Sequence, residues 1–173
     1  MIGAMGVYRG RFTARMPDDF VVFLIGMRVN RPLKVGEWGP VFLAMPKMLR
    51  WLDKHPEAGL LNWHNAWIKG PAIVQYWRSF EDLDSFARAA AEPHLPAWKA
   101  FNQVVRASGD VGIWHETYKV RADEYECIYG NMPRIGLAAA GEHVPVGSTG
   151  QSAARRIGVA EEDEPAVVPY ANP

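Results

Sequence analysis

The chain has 173 residues, enough for one ordinary domain with a sizeable core. Apolar residues make up 49% and charged residues 22%, and 19 Lys+Arg balance 19 Asp+Glu, so nothing points to nucleic acid or an anionic membrane as partner. The single cysteine, Cys127, rules out an internal disulfide and a multi-cysteine metal site.

The first sixteen residues, "MIGAMGVYRGRFTARM", carry Arg9, Arg11 and Arg15 but no apolar run long enough for a signal core. The default compartment is therefore a reducing cytoplasm, and residues 1–16 read as an N-terminal extension. "FVVFLIGM" is far shorter than the ~20 residues of a membrane helix. Extended to residue 29 it reads as a strand covered on both faces. "NRPLKVGEWGP" is a loop. Val41, Met45, Met48, Leu49 and Leu52 recur at helical spacing, with Pro46 inside the pattern as a kink or as the first turn of its better-formed half. "HPEAG" ends that helix.

"LLNWHNAWI" and "AIVQYWRSF" are strand-like runs separated by the turn signal "KGP". Ser79 stands three residues before Asp82, a capping-box spacing, and Leu83, Phe86, Ala87 and Ala90 make the helix that follows. "EPHLP" interrupts it, and a further helix carries Trp98, Phe101, Val104 and Val105 as far as Gly109. "GIWHETYKV" and "EYECIYGNM" read as two closing strands joined by a tight turn near Ala122 and Asp123. The order β-α-β-β-α-(α)-β-β is the ferredoxin-like pattern, an α+β fold with an antiparallel sheet and helices on one face, over residues 17–136. Residues 137–173, rich in Gly, Ala, Pro and charge, read as a tail that is extended, partly disordered or draped over a partner, and removal of residues 145–173 is expected to leave the domain folded.

The strings "YWRSFEDLDSFAR", "AWKAFN", "GDVGIWHETY" and "YGNMP" resemble the small monooxygenase-like members of the dimeric α/β-barrel superfamily, among them the group that includes the small barrel monooxygenase of fumagillin biosynthesis. The likeness covers roughly residues 15–140, with "GIWHETY" its more specific part. It implies a homodimer whose two sheets face each other as a barrel. It also implies a ligand cavity between sheet and helices, and oxygen chemistry, often without metal or flavin. Haem-degrading relatives carry an Asn, a Trp and a His at set places, for which Asn30, Trp98 and His94 are the nearest candidates, although His94 precedes Trp98 in reverse of that order. A homodimer is expected on physical grounds as well, because the strands look apolar or aromatic on both faces.

Candidate site residues follow from strand alternation. A two-residue turn at Ala122 and Asp123 would set His115 opposite Gly130 and Glu116 beside Tyr129. His115 and Glu116 then face opposite sides, His115 toward the helix-side pocket with room beside its ring. A neutral imidazole is a natural base near pH 7. The competing reading is a hydrogen-bonded core histidine, with Glu116 paired structurally to Tyr129. In "LNWHNAW", Asn62 and His64 share a face and could steady an enolate-like oxygen and take a proton, unless that face is merely solvated. Arg78 could bind an anionic oxygen on the face of Tyr76, or form a surface salt bridge. Trp63, Trp67, Tyr76, Trp114, Glu116 and Tyr118 are candidates for lining a substrate pocket, and Trp77 for the core. His55 and His143 read as solvated, Cys127 as a small buried hydrophobe. The metal signal is weak: His64 and His115 would need a carboxylate from elsewhere. Three functions compete: a cofactor-free oxygenase on a small apolar or aromatic substrate, a haem protein with His115 or His94 as axial ligand, and a small-molecule binding module without chemistry.

Overall fold

The structure is a computed structural model that describes residues 6–89, 98–99, 101–102, 108–170 and 172. The chain divides into two compact units, Val21–Tyr118 and the remainder, Met1–Phe20 with Lys119–Pro173.

In chain order the strands are β1 (Tyr8–Arg15), β2 (Phe20–Val29), β3 (Leu60–Trp67), β4 (Pro71–Trp77), β5 (Val111–Val120), β6 (Tyr129–Met132) and β7 (Glu142–Pro145). The two longer helices are α1 (Val35–Leu52) and α2 (Phe80–Arg88). The sheet of the first unit has the order β3-β4-β2-β5. β4 runs antiparallel to both β2 and β3. This is the ferredoxin-like order expected from the sequence.

Alternation along β2 decides its two faces. Val21 and Phe23 join Met48, Leu52, Trp77, Leu83 and Phe86 in one apolar cluster under α1 and α2. Met27 and Val111 form a second cluster with Val29, Trp38, Val41, Phe101 and Ile113. Odd-numbered residues of β2 and β5 therefore face the helices, and Val22, Leu24, Gly26 and Trp114 face away from them. Trp77 is fully buried, and its indole N–H donates to Gln75 Oε1 at 2.9 Å, so the core ring leaves no polar group unpaired.

Helix α1 is longer than the apolar spacing suggests and runs through both Pro40 and Pro46. Its buried residues, Met48, Leu49 and Leu52, all follow Pro46, so packing holds the C-terminal half. Helix α2 starts as read from the sequence: Ser79 Oγ accepts the Asp82 N–H at 3.0 Å. The β3–β4 turn uses Lys69 at φ 53° and Gly70 at φ 156°. A side chain at Gly70 would meet the Met27 carbonyl oxygen at 2.2 Å, so only glycine fits.

The second unit is where the structure departs from the sequence reading. Its sheet has the order β6-β1-β7, with β1 antiparallel to both neighbours. Residues 8–15, expected as an extension, are the central strand, and residues 142–145, expected as tail, pair with it. The turn near Ala122 and Asp123 does form, closed by the Glu124 N–H to the Arg121 carbonyl at 3.0 Å. The strand after it pairs with β1, however, so Gly130 lies opposite Arg11 and Tyr129 opposite Phe12. The reason lies in residues 125–127, whose polar groups bond to β1. Tyr125 Oη accepts from the Met16 N–H at 2.6 Å, and the Cys127 carbonyl accepts from Thr13 Oγ1 at 2.7 Å.

The rest of the C-terminal segment is bound in the same way. Ala138 and Val146 are buried at 0% and 1% exposure. Arg156, 6% exposed, donates to Glu126 Oε1 at 2.7 Å and to the Gln151 carbonyl at 2.8 Å. Asn172 Nδ2 donates to the Arg11 carbonyl at 2.8 Å, and its Oδ1 accepts from the Arg11 N–H. The side-chain amide thus stands in for a strand along β1 at Arg11, beyond the residues that β7 covers.

Candidate functional site

The sheet of the first unit carries a polar cluster on the face turned away from α1 and α2. Register pairs Asn62 with Tyr76 and His64 with Val74. Asn62 Nδ2 lies 3.1 Å from His64 Nε2. An amide nitrogen only donates, so in this arrangement the ring nitrogen is the acceptor. The His64 and Tyr76 rings meet edge to face, 6.2 Å between centroids. The floor beside them is half-buried Val74, Val22 and Leu24.

The same face continues to β5. The Trp114 indole lies across Gly26, where an added Cβ would stand 2.7 Å from Nε1. Tyr118 donates to Glu116 Oε2 at 2.6 Å, and that bond to a carboxylate pushes the phenol's pKa up. Glu116 is therefore paired with Tyr118 on its own strand, and the expected pairing with Tyr129 does not form. Strands β3 and β5 are the outer strands of the sheet, about 14 Å apart at three inter-strand spacings. The imidazole–amide pair and the Trp114–Glu116 end thus bracket one half-apolar floor.

His115 lies on the helix-side face, with its ring 5.6 Å from that of Phe23. It is exposed, and the glycine meant to clear space for it faces Arg11 instead. Alternation puts His115 and Asn62 on opposite faces of the sheet. Arg78 is also removed from the site. It donates to both carboxylate oxygens of Asp82, at 2.9 and 3.1 Å, and to the Glu57 carbonyl at 3.1 Å. This pair holds the Asp82 carboxyl below the usual range. Trp63 donates to Asp53 Oδ1 at 3.1 Å, and Trp67 is 77% exposed at the end of β3. His94 lies outside the described residues. Asn30 ties its loop to the Gly109 carbonyl at 2.9 Å, and Trp98 stacks on Phe101.

Two further polar residues are held in defined surroundings, Asp110 and His143. Asp110 is 1% exposed, with Lys34 Nζ at 2.6 Å and Arg31 Nε at 3.2 Å. The Lys34 bond, with Arg31 adding to it, holds its carboxyl below the ordinary range. His143, expected in solvent, stacks on Phe12 at 4.4 Å and meets Tyr8 edge-on at 4.7 Å. Its Nε2 is buried without a hydrogen-bond partner among the described residues, and burial pushes its pKa down. His55 is likewise stacked, on Trp51 at 3.9 Å, rather than solvated. Half-buried Cys127 accepts a hydrogen bond at Sγ from the Ala14 N–H at 3.4 Å. No group of three or more His, Cys, Asp or Glu among the described residues could hold a metal ion.

The sequence pattern of the "Monooxygenase af470-like" family matches residues 20–137. The chain belongs to the monooxygenase af470-like family. One relative is "Monooxygenase af470" of Aspergillus fumigatus, 33% identical over 154 residues, a match covering 76% of this chain and 54% of the relative. The af470-like chain thus spans about half of that relative's length. Two crystal structures of aldoxime dehydratase, one in complex with butyraldoxime, share the fold at a TM-score of 0.62. They are 17% and 15% identical, over 75% and 79% of this chain and 39% and 42% of theirs. At that identity the likeness concerns the fold alone. No helix of the described residues is long and apolar enough to cross a membrane.

Proposed function

We propose that this af470-like chain is an oxygenase for a small apolar or aromatic substrate bearing an acidic methylene, working without a cofactor as a homodimer. The observation that carries this reading is the 3.1 Å contact between Asn62 Nδ2 and His64 Nε2, beside Tyr76 and above a half-apolar floor. A second copy laid over that face would bury Val22, Leu24 and Val74 and exclude water from the pair.

On substrate entry the Asn62 N–H turns from His64 Nε2 to the substrate's carbonyl or phenol oxygen. The freed ring nitrogen takes a proton from the adjacent methylene as charge develops on that oxygen. The resulting carbanion reduces O₂, forming a C–O bond and, once protonated, a hydroperoxide. Loss of the second C–H proton breaks the O–O bond and releases water. The sum is CH₂ + O₂ → C=O + H₂O, in which the methylene supplies all four electrons. Trp114 supplies an aromatic wall, and the Tyr118–Glu116 pair marks the polar end of the floor.

The second reading, a haem protein, would use His115, exposed on the helix-side face, or His94, which lies outside the described residues. The test is oxygen uptake with anthrone, a rigid aromatic ketone with an acidic methylene, together with an absorption spectrum of the purified protein. The expected result is one O₂ per carbonyl formed, no Soret band, and loss of turnover in His64→Ala. Equal turnover in that variant, or activity only in a red preparation, overturns the reading.

A further inference from the structure

Helix α1 departs from the pattern of a surface helix, which turns a polar side to water. Trp38 and Val41 pack on the cluster of Met27 and Val111, and Met48 and Leu52 lie in that of Val21 and Trp77, so this side of the helix faces the sheet. The opposite side is apolar as well. Val35, Gly39, Leu43 and Pro46 follow one another at helical spacing and share one stripe. Val35 and Leu43 are each more than half exposed, Phe42 flanks them, and Leu33 in the preceding loop is 97% exposed. A Cβ placed on Gly36 would meet nothing within 4 Å, so the first turn is open on this side. These side chains form a continuous patch, unlike the single exposures of an ordinary surface.

The whole chain is balanced in charge, but the surroundings of this stripe are not. Lys47 and Arg50 stand at its C-terminal end, and neither forms an ion pair among the described residues. Arg31 and Lys34 stand at the other end and share one carboxylate, that of buried Asp110. Glu37, the sole acid of α1, is half-buried with Oε2 closed off from solvent. We infer that the outer side of α1 docks the protein on a bilayer surface that carries anionic lipid. The apolar side chains enter the boundary between headgroups and acyl chains, and the Lys and Arg stems reach the phosphates at both ends. The helix lies along the surface and does not cross it. A second copy laid over the sheet, as proposed above, takes the face away from α1 and leaves the stripe bare. An acidic protein partner would be gripped by large side chains at the centre of the stripe, where Gly36 and Gly39 stand instead. The docking is independent of the oxygenase chemistry.

The experiment floats the full chain with vesicles of phosphatidylcholine alone and of phosphatidylcholine mixed with phosphatidylserine, at low and high salt. Leu33→Glu with Leu43→Glu puts two charges on the stripe at exposed positions. Val168→Glu, at a residue 95% exposed outside α1, is the control for general stickiness. The wild type is expected to bind the mixed vesicles at least about tenfold more tightly than the neutral ones, and less tightly as salt rises. The double variant should lose about tenfold or more, and the control should bind as the wild type does. No binding to either vesicle, equal binding to both, or undiminished binding of the double variant overturns the assignment. So does self-association without vesicles that the double variant abolishes, which would give the stripe to a second copy. If the double variant does not fold, the wild-type comparison of the two vesicles still decides.

Discussion

Trp114 lays its indole across Gly26, so closely that a methyl group on that glycine would stand 2.7 Å from Nε1. The two residues depend on each other: the glycine gives the ring a seat, and the ring covers backbone a glycine leaves bare. Gly26→Ala should displace the indole and destabilise the protein by about 1–3 kcal/mol. In a Trp114→Ala background the same change should cost much less, because the clash is gone. Chemical denaturation of the four proteins measures the coupling, and additive losses would mean that the contact is not made.

Removal of a general base typically costs ~10²–10⁴ in rate, so His64→Ala should lower kcat by about that much. Asn62→Ala should lower kcat by less, and Asn62→Asp should not rescue it, since a carboxylate cannot donate to a developing oxyanion. His115→Ala should leave kcat unchanged, its ring being on the other face. Steady-state oxygen uptake separates the three. A collapse of kcat in His115→Ala would move the chemistry to the helix side.

How far the sequence reached can be traced residue by residue. The cap at Ser79 is legible because its partner is three residues away, and the burial of Trp77 because the run around it is apolar. Asn62 and His64 fall on one face by the period of a strand alone. The register that set His115 against Gly130 failed for a different reason. It assumed that consecutive strands pair, whereas β6 pairs with β1, whose Arg11 is 119 positions before Gly130. Nothing local marks β1: its buried residues include Thr13 and Ala14, too small or polar to read as an apolar stripe. Pairing of distant segments is set by the whole fold, and with it went the true surroundings of His143.

Truncation tests that second sheet. The composition of residues 145–173 suggests that they can be removed without harm, but Val146 is buried and Arg156 is bonded to Glu126. Deleting residues 145–173 should cost at least about 2 kcal/mol from lost apolar burial and unpaired groups. Arg156→Ala should reproduce a part of that loss. Thermal melts of the three chains measure it, and a truncated chain melting with the full-length one would detach the segment from the fold.

His143 makes stability depend on pH in a defined window. Its ring sits against Tyr8, Phe12 and Tyr129, with Nε2 buried and unpartnered among the described residues, and Arg134 acts on it as a neighbouring charge. Burial first, and Arg134 second, pull its pKa below 6.5. The folded state therefore binds its proton more weakly than the unfolded state does. Above 6.5 the ring is neutral in both states and the effect is absent. As pH falls below 6.5 the unfolded chain takes up a proton that the folded chain resists, so stability declines until the lowered folded pKa is passed. Asp82, Asp110 and Asp163, whose pKa values are also lowered, lose their contribution as pH falls from the ordinary carboxylate range through their lowered values, a range that lies below this window. His143→Phe keeps the stacking surface and removes the proton site. Melts from pH 7.5 to 5 should show a decline in the wild type that is smaller in the variant, and parallel curves would mean that His143 is open to solvent after all.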